Sequence, residues 1–164
     1  MSGLIVLQSA CHNEEPGPCG CTNINVVTRI VITDDENRNL LDPATPGHFN
    51  ADDIRIYYVR EGERKEAFQA NLDNPRFFAI EQYGSDNEYT MKLFPDMEVR
   101  NTEVTTTIVK WNSAIEDTVE CEIFKNDNTI SITKVWYNGE LAYDQQKTVQ
   151  GVTVYQERLI RTKK

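Results

Sequence analysis

Four cysteines and two histidines are the side chains in this sequence that are best suited to bind a metal or attack a substrate. Cys19 and Cys21 flank a single glycine, whereas zinc sites use four ligands and usually a wider spacing. Neither His12 nor His48 stands at a ligand spacing from that pair. The serine-nucleophile, zinc-protease and phosphate-binding motifs do not occur. The sequence therefore predicts no metal site, no cofactor and no catalytic residues.

Acidic residues cluster at positions 34–36 and 52–53. Their carboxylates are ligands that calcium accepts, but neither cluster has the spacing of an EF-hand loop. Aspartate and asparagine are also common in turns, because their side chains bond nearby backbone N–H groups. We expect turn chemistry at both clusters rather than calcium binding. Glycoside hydrolysis needs two carboxyl groups at a defined separation, and the 26 acidic residues single out no such pair.

Cys121 lies in a segment, residues 119–123, that alternates between apolar and acidic residues. In a half-buried strand this alternation places the thiol on the core side, where cysteine behaves as a small hydrophobic residue. We therefore expect an inert, buried thiol. A disulfide from Cys19 or Cys21 to Cys121 stays open as an alternative in an oxidising compartment, because the sequence does not fix the geometry that a disulfide needs.

Aromatic residues are numerous enough to build a binding platform for a sugar or a peptide if several were exposed together. The candidates are Tyr57, Tyr58, Tyr83, Tyr89, Trp111, Trp136, Tyr137 and Tyr143. Aromatic residues also favour strands and fill the cores of β-proteins. Strand alternation places Trp136 and Tyr137 on opposite faces, so that one of them belongs to the core. We expect core packing for most of the set.

The composition describes an acidic chain of about one domain, with a formal net charge of −9. Nucleic-acid binding requires clustered lysine and arginine, and the basic residues here are scattered. The same balance argues against attraction to an anionic lipid surface. No apolar run after Cys11 approaches the roughly 20 residues of a membrane-spanning helix. We expect no nucleic-acid partner and no embedded segment.

The N-terminal residues carry the most specific pattern, an apolar run at positions 4–7 followed by Gln8, Ser9, Ala10 and Cys11. This pattern resembles the cleavage and lipidation signal of bacterial lipoproteins, with Cys11 as the lipidated residue. Gln8 departs from the leucine that is usual there. No basic residue precedes Cys11, although a signal peptide begins with one; a translation start upstream of Met1 would supply it. The ordinary alternative is an apolar tail with an unmodified cysteine.

The resemblance implies a division of the chain into three parts. Residues 1–10 would be part of a signal peptide, residues 11–22 a lipid anchor and tether, and residues 23–164 one domain. The tether contains two prolines and two glycines, a composition typical of flexible linkers. Glu14 and Glu15 resemble the surface-export signal of Bacteroidetes lipoproteins. The implied location is the cell envelope, at the periplasmic or surface face of the outer membrane.

From residue 23 onward the apolar residues recur with a period of two, which is typical of half-buried strands. One face of a first strand is predicted to carry Ile24, Val26, Thr28, Ile30 and Ile32. Further strands are predicted around residues 55–60, 63–68, 89–93, 104–111, 118–124, 129–137, 140–143 and 152–160. Glu61-Gly62 and Asn138-Gly139 are predicted hairpin turns, because residues with positive φ are needed there. About nine short strands favour a single antiparallel β-sandwich.

Residues 31–41 resemble the first hairpin of prealbumin-like and immunoglobulin-like surface domains. The chain as a whole, with residues 41–47 and 135–141, resembles uncharacterised lipoproteins of gut Bacteroidetes, and the likeness extends over nearly all of the chain. It implies an exported β-sandwich of the immunoglobulin-like or prealbumin-like type and carries no known activity. Asp117-Thr118-Val119 resembles the three-residue O-glycosylation sequon of exported Bacteroidetes proteins, which would place a glycan on Thr118.

These observations favour a non-catalytic domain for binding or structural interaction at the cell envelope, with an envelope protein or a glycan as its partner. The alternatives are a small envelope enzyme, such as a glycan hydrolase, and an accessory subunit of an outer-membrane complex. Exposed, clustered aromatic residues would favour glycan binding, and two close carboxyl groups in a cleft would favour the enzyme. One unpaired edge strand would favour the accessory role.

Overall fold

The computed structural model of the chain describes residues 23–99, 104–145, 148–149, 152–153 and 159–164. The regular structure of these residues consists of thirteen strands and no helix. The strands are β1 (Asn23–Asn25), β2 (Thr28–Thr33), β3 (Arg55–Arg60), β4 (Glu63–Glu66), β5 (Phe78–Tyr83), β6 (Glu88–Leu93), β7 (Val104–Lys110), β8 (Glu116–Lys125), β9 (Thr129–Tyr137), β10 (Glu140–Asp144), β11 (Thr148–Val149), β12 (Val152–Thr153) and β13 (Leu159–Lys163). The predicted all-β class is confirmed, with more strands than the nine expected.

The strands form two main sheets and one short hairpin. The larger sheet has the order β1-β9-β8-β7-β3-β4, with β10 also pairing with β9, and the smaller has the order β13-β2-β6-β5. β11 and β12 pair only with each other. Two pairings are parallel, β1 with β9 and β13 with β2. The expectation of purely antiparallel sheets was therefore wrong, because local alternation carries no information about a partner far away in the chain.

The predicted first strand is in fact two strands that belong to different sheets. β1 pairs in the larger sheet and β2 in the smaller, and the chain passes from one to the other at Val26 and Val27. Ile24 is accordingly 62% exposed, whereas Ile30 and Ile32 are fully buried. The period of two continues where the chain passes between the two sheets. It indicates which face each side chain lies on, but not which strand provides the hydrogen bonds.

The last predicted strand, residues 152–160, is divided as well. β12 ends at Thr153 and β13 begins at Leu159, while residues 154–158 lie outside the described part of the chain. Strand β5 was missed by the sequence prediction. It pairs with β6 over its whole length, and the connecting turn has positive φ at Gly84 and Asn87.

Both predicted hairpin turns are confirmed. Glu61 and Gly62 have φ values of 55° and 79°, and Asn138 and Gly139 have 51° and 80°. Asparagine and glycine tolerate this left-handed region better than other residues. The first turn joins β3 to β4 and the second joins β9 to β10.

One hydrophobic cluster contains buried side chains from both main sheets. The smaller sheet contributes Met91 and Leu93, and the larger contributes Ile56 and Cys121 among others. Trp111, at the end of β7, is fully buried, and its ring stacks on Phe49 at 5.3 Å between centroids. The long connection between β2 and β3 therefore packs into the core instead of lying outside it.

Cys121 is fully buried within this cluster, as the alternation predicted. Its thiol should react with a maleimide only after denaturation, measured by mass spectrometry of the peptide that contains it. Cys121→Val should change the free energy of unfolding by less than about 1.5 kcal/mol, whereas Cys121→Asp should cost about 3 kcal/mol or more because it buries an unpaired charge. Rapid labelling in the native state would contradict the burial.

Candidate functional site

Thirteen of the described residues line an apolar cavity of ≈ 690 Å³. It lies where β3 ends, where β5 begins and where the chain leaves β6. Its walls are formed by Val26, Tyr58, Arg60, Leu72, Asp73, Asn74, Phe77, Phe94, Pro95, Asp96, Met97, Glu98 and Lys125. Seven of these thirteen residues are apolar or aromatic. The other six are polar or charged, and a lining that combines apolar walls with polar groups is typical of binding pockets.

Tyr58 and Phe77 form the aromatic wall of the cavity. Alternation along β3, after the buried Ile54 and Ile56, turns Tyr58 towards the space between the sheets. Its hydroxyl donates to the Phe94 carbonyl oxygen at 2.9 Å, and its ring meets Phe77 edge-on at 5.5 Å between centroids. Burial, and then the nearby Asp96 carboxylate, raise the pKa of Tyr58. The phenol therefore remains neutral and acts as a structural donor.

Phe77 holds an unusual backbone conformation, with φ = 59°. A bulky residue in this region costs free energy, and it persists only where neighbouring groups fix it. Here the Phe77 N–H donates to the Asn74 carbonyl at 3.0 Å, and the Phe77 carbonyl accepts from the Phe94 N–H at 2.9 Å. The strain is thus stored beside the cavity, and it directs the chain into β5 with the ring against Tyr58.

A charged network closes one side of the cavity. Arg60 donates to both carboxylate oxygens of Asp96, from Nε and Nη2, at 2.8 Å each, and its Nη1 lies 2.6 Å from Glu98 Oε2. The side-chain bond to Asp96 raises the pKa of Arg60. Asp96 is only 2% exposed, and its N–H and carbonyl bond to the hydroxyls of Thr107 and Thr105. The network ties the segment after β6 to β3 and β7.

The geometry of this cavity suits the binding of an apolar group better than the catalysis of a reaction of that group. Among the described lining residues there is no histidine, cysteine or serine. The most buried acid, Asp96, has both oxygens engaged by one guanidinium. A bidentate pair of this kind fixes the geometry of both side chains.

Asp117 forms the second polar cluster, elsewhere in the larger sheet. Its carboxylate, 2% exposed, accepts from Trp111 Nε1 at 2.7 Å, from the Tyr137 hydroxyl at 2.5 Å and from Asn138 Nδ2 at 2.8 Å. Lys164 Nζ is a fourth donor. Burial raises the pKa of Asp117, but the four hydrogen bonds outweigh it and hold that pKa below its ordinary value. This arrangement is a structural anchor, with every donor supplied by the chain itself.

The lipidation candidate Cys11, together with Cys19 and Cys21, lies outside the described residues. Thr118 lies in β8, partly exposed, beside the buried Asp117. Its backbone N–H donates to Asn138 Oδ1 and its carbonyl accepts from the Asn138 N–H, both at 2.8 Å. Lipidation of Cys11 and glycosylation of Thr118 stay predictions.

The two acidic clusters differ in which side chain accepts hydrogen bonds from the backbone of the turn. Asp34 Oδ1 accepts from the backbone N–H groups of Glu36 and Arg38 at 2.9 Å each, which confirms the turn role predicted for it. At residues 50–53 the capping side chain is instead Asn50, which accepts from the Asp52 N–H at 3.0 Å. The described residues hold no group of three or more histidine, cysteine or acidic side chains arranged to bind a metal.

Apart from Tyr58, which lines the cavity, His48 and the aromatic candidates do not assemble into a site. The exposed His48 ring bonds only to the Thr45 carbonyl in its own loop, at 3.0 Å. Trp111, Tyr137 and Tyr143 are buried. Of the others, Tyr57 stacks under Arg64 on the larger sheet, while Tyr83 stacks under Arg29 on the smaller.

Sequence reasoning missed the residues that build the cavity. Phe77, Phe94 and Asp96 lie in or beside irregular segments where periodicity gives no signal. Phe94-Pro95-Asp96 after a strand was the available hint, since proline ends a ladder. Among the described residues, no helix is long and apolar enough to span a membrane.

Stability should depend on pH through Asp117. Because its pKa is lower in the folded state than in the unfolded one, the stability it provides is complete above the unfolded pKa of about 3.9 and is lost as the pH falls through the folded value. Asp117→Asn should cost about 3 kcal/mol near neutral pH and flatten the acid limb of the stability curve. Urea unfolding between about pH 6 and pH 2 measures both.

The matched control is Asp127→Asn, at an exposed position in the turn between β8 and β9. It should leave stability within about 0.5 kcal/mol of the native chain. An acid limb unchanged by Asp117→Asn would refute the role of the cluster.

No protein family, curated protein or solved structure shows a significant match to this chain.

Proposed function

We propose that this chain is a lipoprotein of the cell envelope whose β-domain binds a partner protein without catalysis. The observation that carries the proposal is the apolar cavity beside Phe77, with its aromatic walls and its strained backbone. Strained non-glycine residues cluster at functional sites, because the surrounding structure must over-determine them. In this proposal the cavity receives an apolar side chain of the partner.

A protein partner fits the cavity better than a glycan does. Sugars are bound by many directed hydrogen bonds and by exposed aromatic faces, whereas this lining is mostly apolar. Of its six polar or charged lining residues, Arg60 and Asp96 are already bonded to each other, and Glu98 also pairs with Arg60. The exposed and half-exposed tyrosines stand on two different sheets rather than on one platform.

The pairing of Arg60 with acidic side chains also argues against a glycan hydrolase. A hydrolase of that kind needs one carboxyl group held as an acid and another available as a base or nucleophile. Asp96 and Glu98 both face Arg60, at 2.8 and 2.6 Å. Both carboxylates are therefore engaged by the same guanidinium, which disfavours their use as the acid and base of the reaction.

The proposal also states how the chain is attached to the membrane and which type of fold its domain has. Cys11 would carry the lipid, residues 11–22 would form the tether, and the site would be the outer membrane at its periplasmic or surface face. The two sheets with their shared hydrophobic cluster are compatible with a β-sandwich of the immunoglobulin-like or prealbumin-like type. Thr118 would be the O-glycosylated residue of such an exported chain.

The cavity should bind the neutral apolar probe 1-N-phenylnaphthylamine saturably, with an increase in its fluorescence. Leu72 lies at the rim and is 41% exposed, so Leu72→Asp should weaken binding about fivefold by removing part of the apolar wall. Leu141→Asp is the control, because Leu141 is 49% exposed on β10 and does not line the cavity.

Two results would contradict the proposed cavity function. One is non-saturable binding that the two substitutions weaken equally, which would mean adsorption to the surface. The other is displacement of the probe by soluble oligosaccharides, which would make a glycan the ligand.

Lipidation is tested separately, by expressing the chain from its native gene region in a bacterial host. The native chain should incorporate labelled palmitate and partition into detergent, and Cys11→Ala should abolish both. Cys121→Ala is the matched control and should label normally, because Cys121 is buried in the folded domain. Absence of label from the native chain would remove the lipoprotein part of the proposal.

A further inference from the structure

Strand β5 is an outer strand of the smaller sheet, with β6 as its one partner among the described residues. The Phe94 N–H donates to the Phe77 carbonyl, and the register continues as Phe78 opposite Leu93. Antiparallel ladders alternate between residues that face the partner and residues that face away. The N–H and C=O groups of Phe78, Ile80 and Gln82 therefore point away from β6, and no described residue bonds to them.

The other outer strands of the two main sheets carry features that prevent edge-to-edge pairing, and β1 is protected only by its length of three residues. β4 consists entirely of charged, exposed residues, Glu63 to Glu66. β13 carries Arg161 and Lys163, and β10 has a register shift that breaks its regularity. Charges and bulges of this kind are how proteins protect their sheet edges.

β5 lacks these protections. Of its six residues only Glu81 is charged, and Arg29 pairs with that carboxylate at 2.7 Å. Phe78 is 6% exposed, and Ile80 packs against the hydrophobic cluster. A long, regular and mostly uncharged edge is the form that accepts an added strand.

The edge and the cavity meet at one residue. Phe77, which lines the cavity, directly precedes β5. A strand lying along β5 and running past Phe78 would therefore reach the cavity mouth. The two features together offer backbone hydrogen bonds for affinity and a pocket for a side chain, the combination used in strand addition.

We propose that an extended segment of a partner protein adds to β5 as a new edge strand, with its backbone bonded to Phe78, Ile80 and Gln82. This inference rests on the proposed binding function and names the partner's chemistry. The segment has apolar residues on the face beside Ile80, and basic residues on its other face, because the chain that it joins carries a net charge of −9. A second copy of this chain fits less well, because each copy carries a net charge of −9 and like charges oppose association.

The test uses the full chain and a capped peptide of alternating valine and lysine, about ten residues long to match a strand. Hydrogen exchange of the backbone amides is measured with and without peptide. The amides of Phe78, Ile80 and Gln82 should each exchange at least about tenfold more slowly at saturation. A peptide of alternating valine and glutamate should bind at least about tenfold more weakly.

Gln82→Pro should abolish binding of the valine–lysine peptide. It removes an outward N–H without touching the β6 ladder, and the Gln82 side chain is exposed, so the fold should be retained. Gln82→Ala controls for the side chain and should bind normally. Glu66→Pro places a proline at an outward position of β4 and should also bind normally. Thermal unfolding verifies that each variant folds.

Three outcomes would overturn the inference. The first is peptide binding that does not slow exchange at these three amides, and the second is a Gln82→Pro variant that folds and binds as the native chain does. Protection that rises with protein concentration alone would show that a second copy occupies the edge. In each case, the proposed cavity function would still hold if Leu72→Asp weakens the binding of 1-N-phenylnaphthylamine. Failure of strand addition and failure of the cavity function can therefore be distinguished.

Discussion

The fold depends on one buried negative charge, the carboxylate of Asp117. A carboxylate removed from water is tolerated only when donors surround it. Here they come from the end of β7, from β9, from the turn after β9 and from Lys164 beyond β13. Each donor has to be in place for the charge to be buried. The carboxylate therefore fixes how these strands meet, and it links the larger sheet to the residue that follows the smaller one.

The Arg60–Asp96 pair has a comparable role at the other end of β3. Asp117 pairs with Val109 across the sheet, and Val109 in turn pairs with Ile56 near the start of β3. Arg60 is the last residue of β3. The two clusters differ in solvent access. Asp117 is enclosed by its donors, while Arg60 keeps a 33% exposed side chain and contributes to the cavity wall. The molecule thus has one polar cluster that only holds structure and another that also shapes a binding surface.

Local patterns in the sequence predicted what depends on local chemistry. Alternation identified β3, β7, β8 and β9 and the inward Cys121, and the Asn138-Gly139 pair identified its turn, because side-chain face and φ preference are properties of neighbouring residues. The split between β1 and β2, the two parallel pairings and the missed β5 depend on distant partners. The cavity was not predictable either, because Phe77 and Asp96 acquire their roles from Tyr58 and Arg60, which are remote in sequence.

The parallel pairing of β13 with β2 has a consequence for the order of folding. Residues 28–33 pair in parallel with residues 159–163. A loop that spans most of the chain must therefore close before this pairing can form. Proteins with such distant contacts fold slowly. During synthesis, Ile30 to Ile32 belong to a strand whose second neighbour has not yet been made. A nascent chain of this protein is therefore exposed to misassociation at β2, whose isoleucines are fully buried once folding is complete.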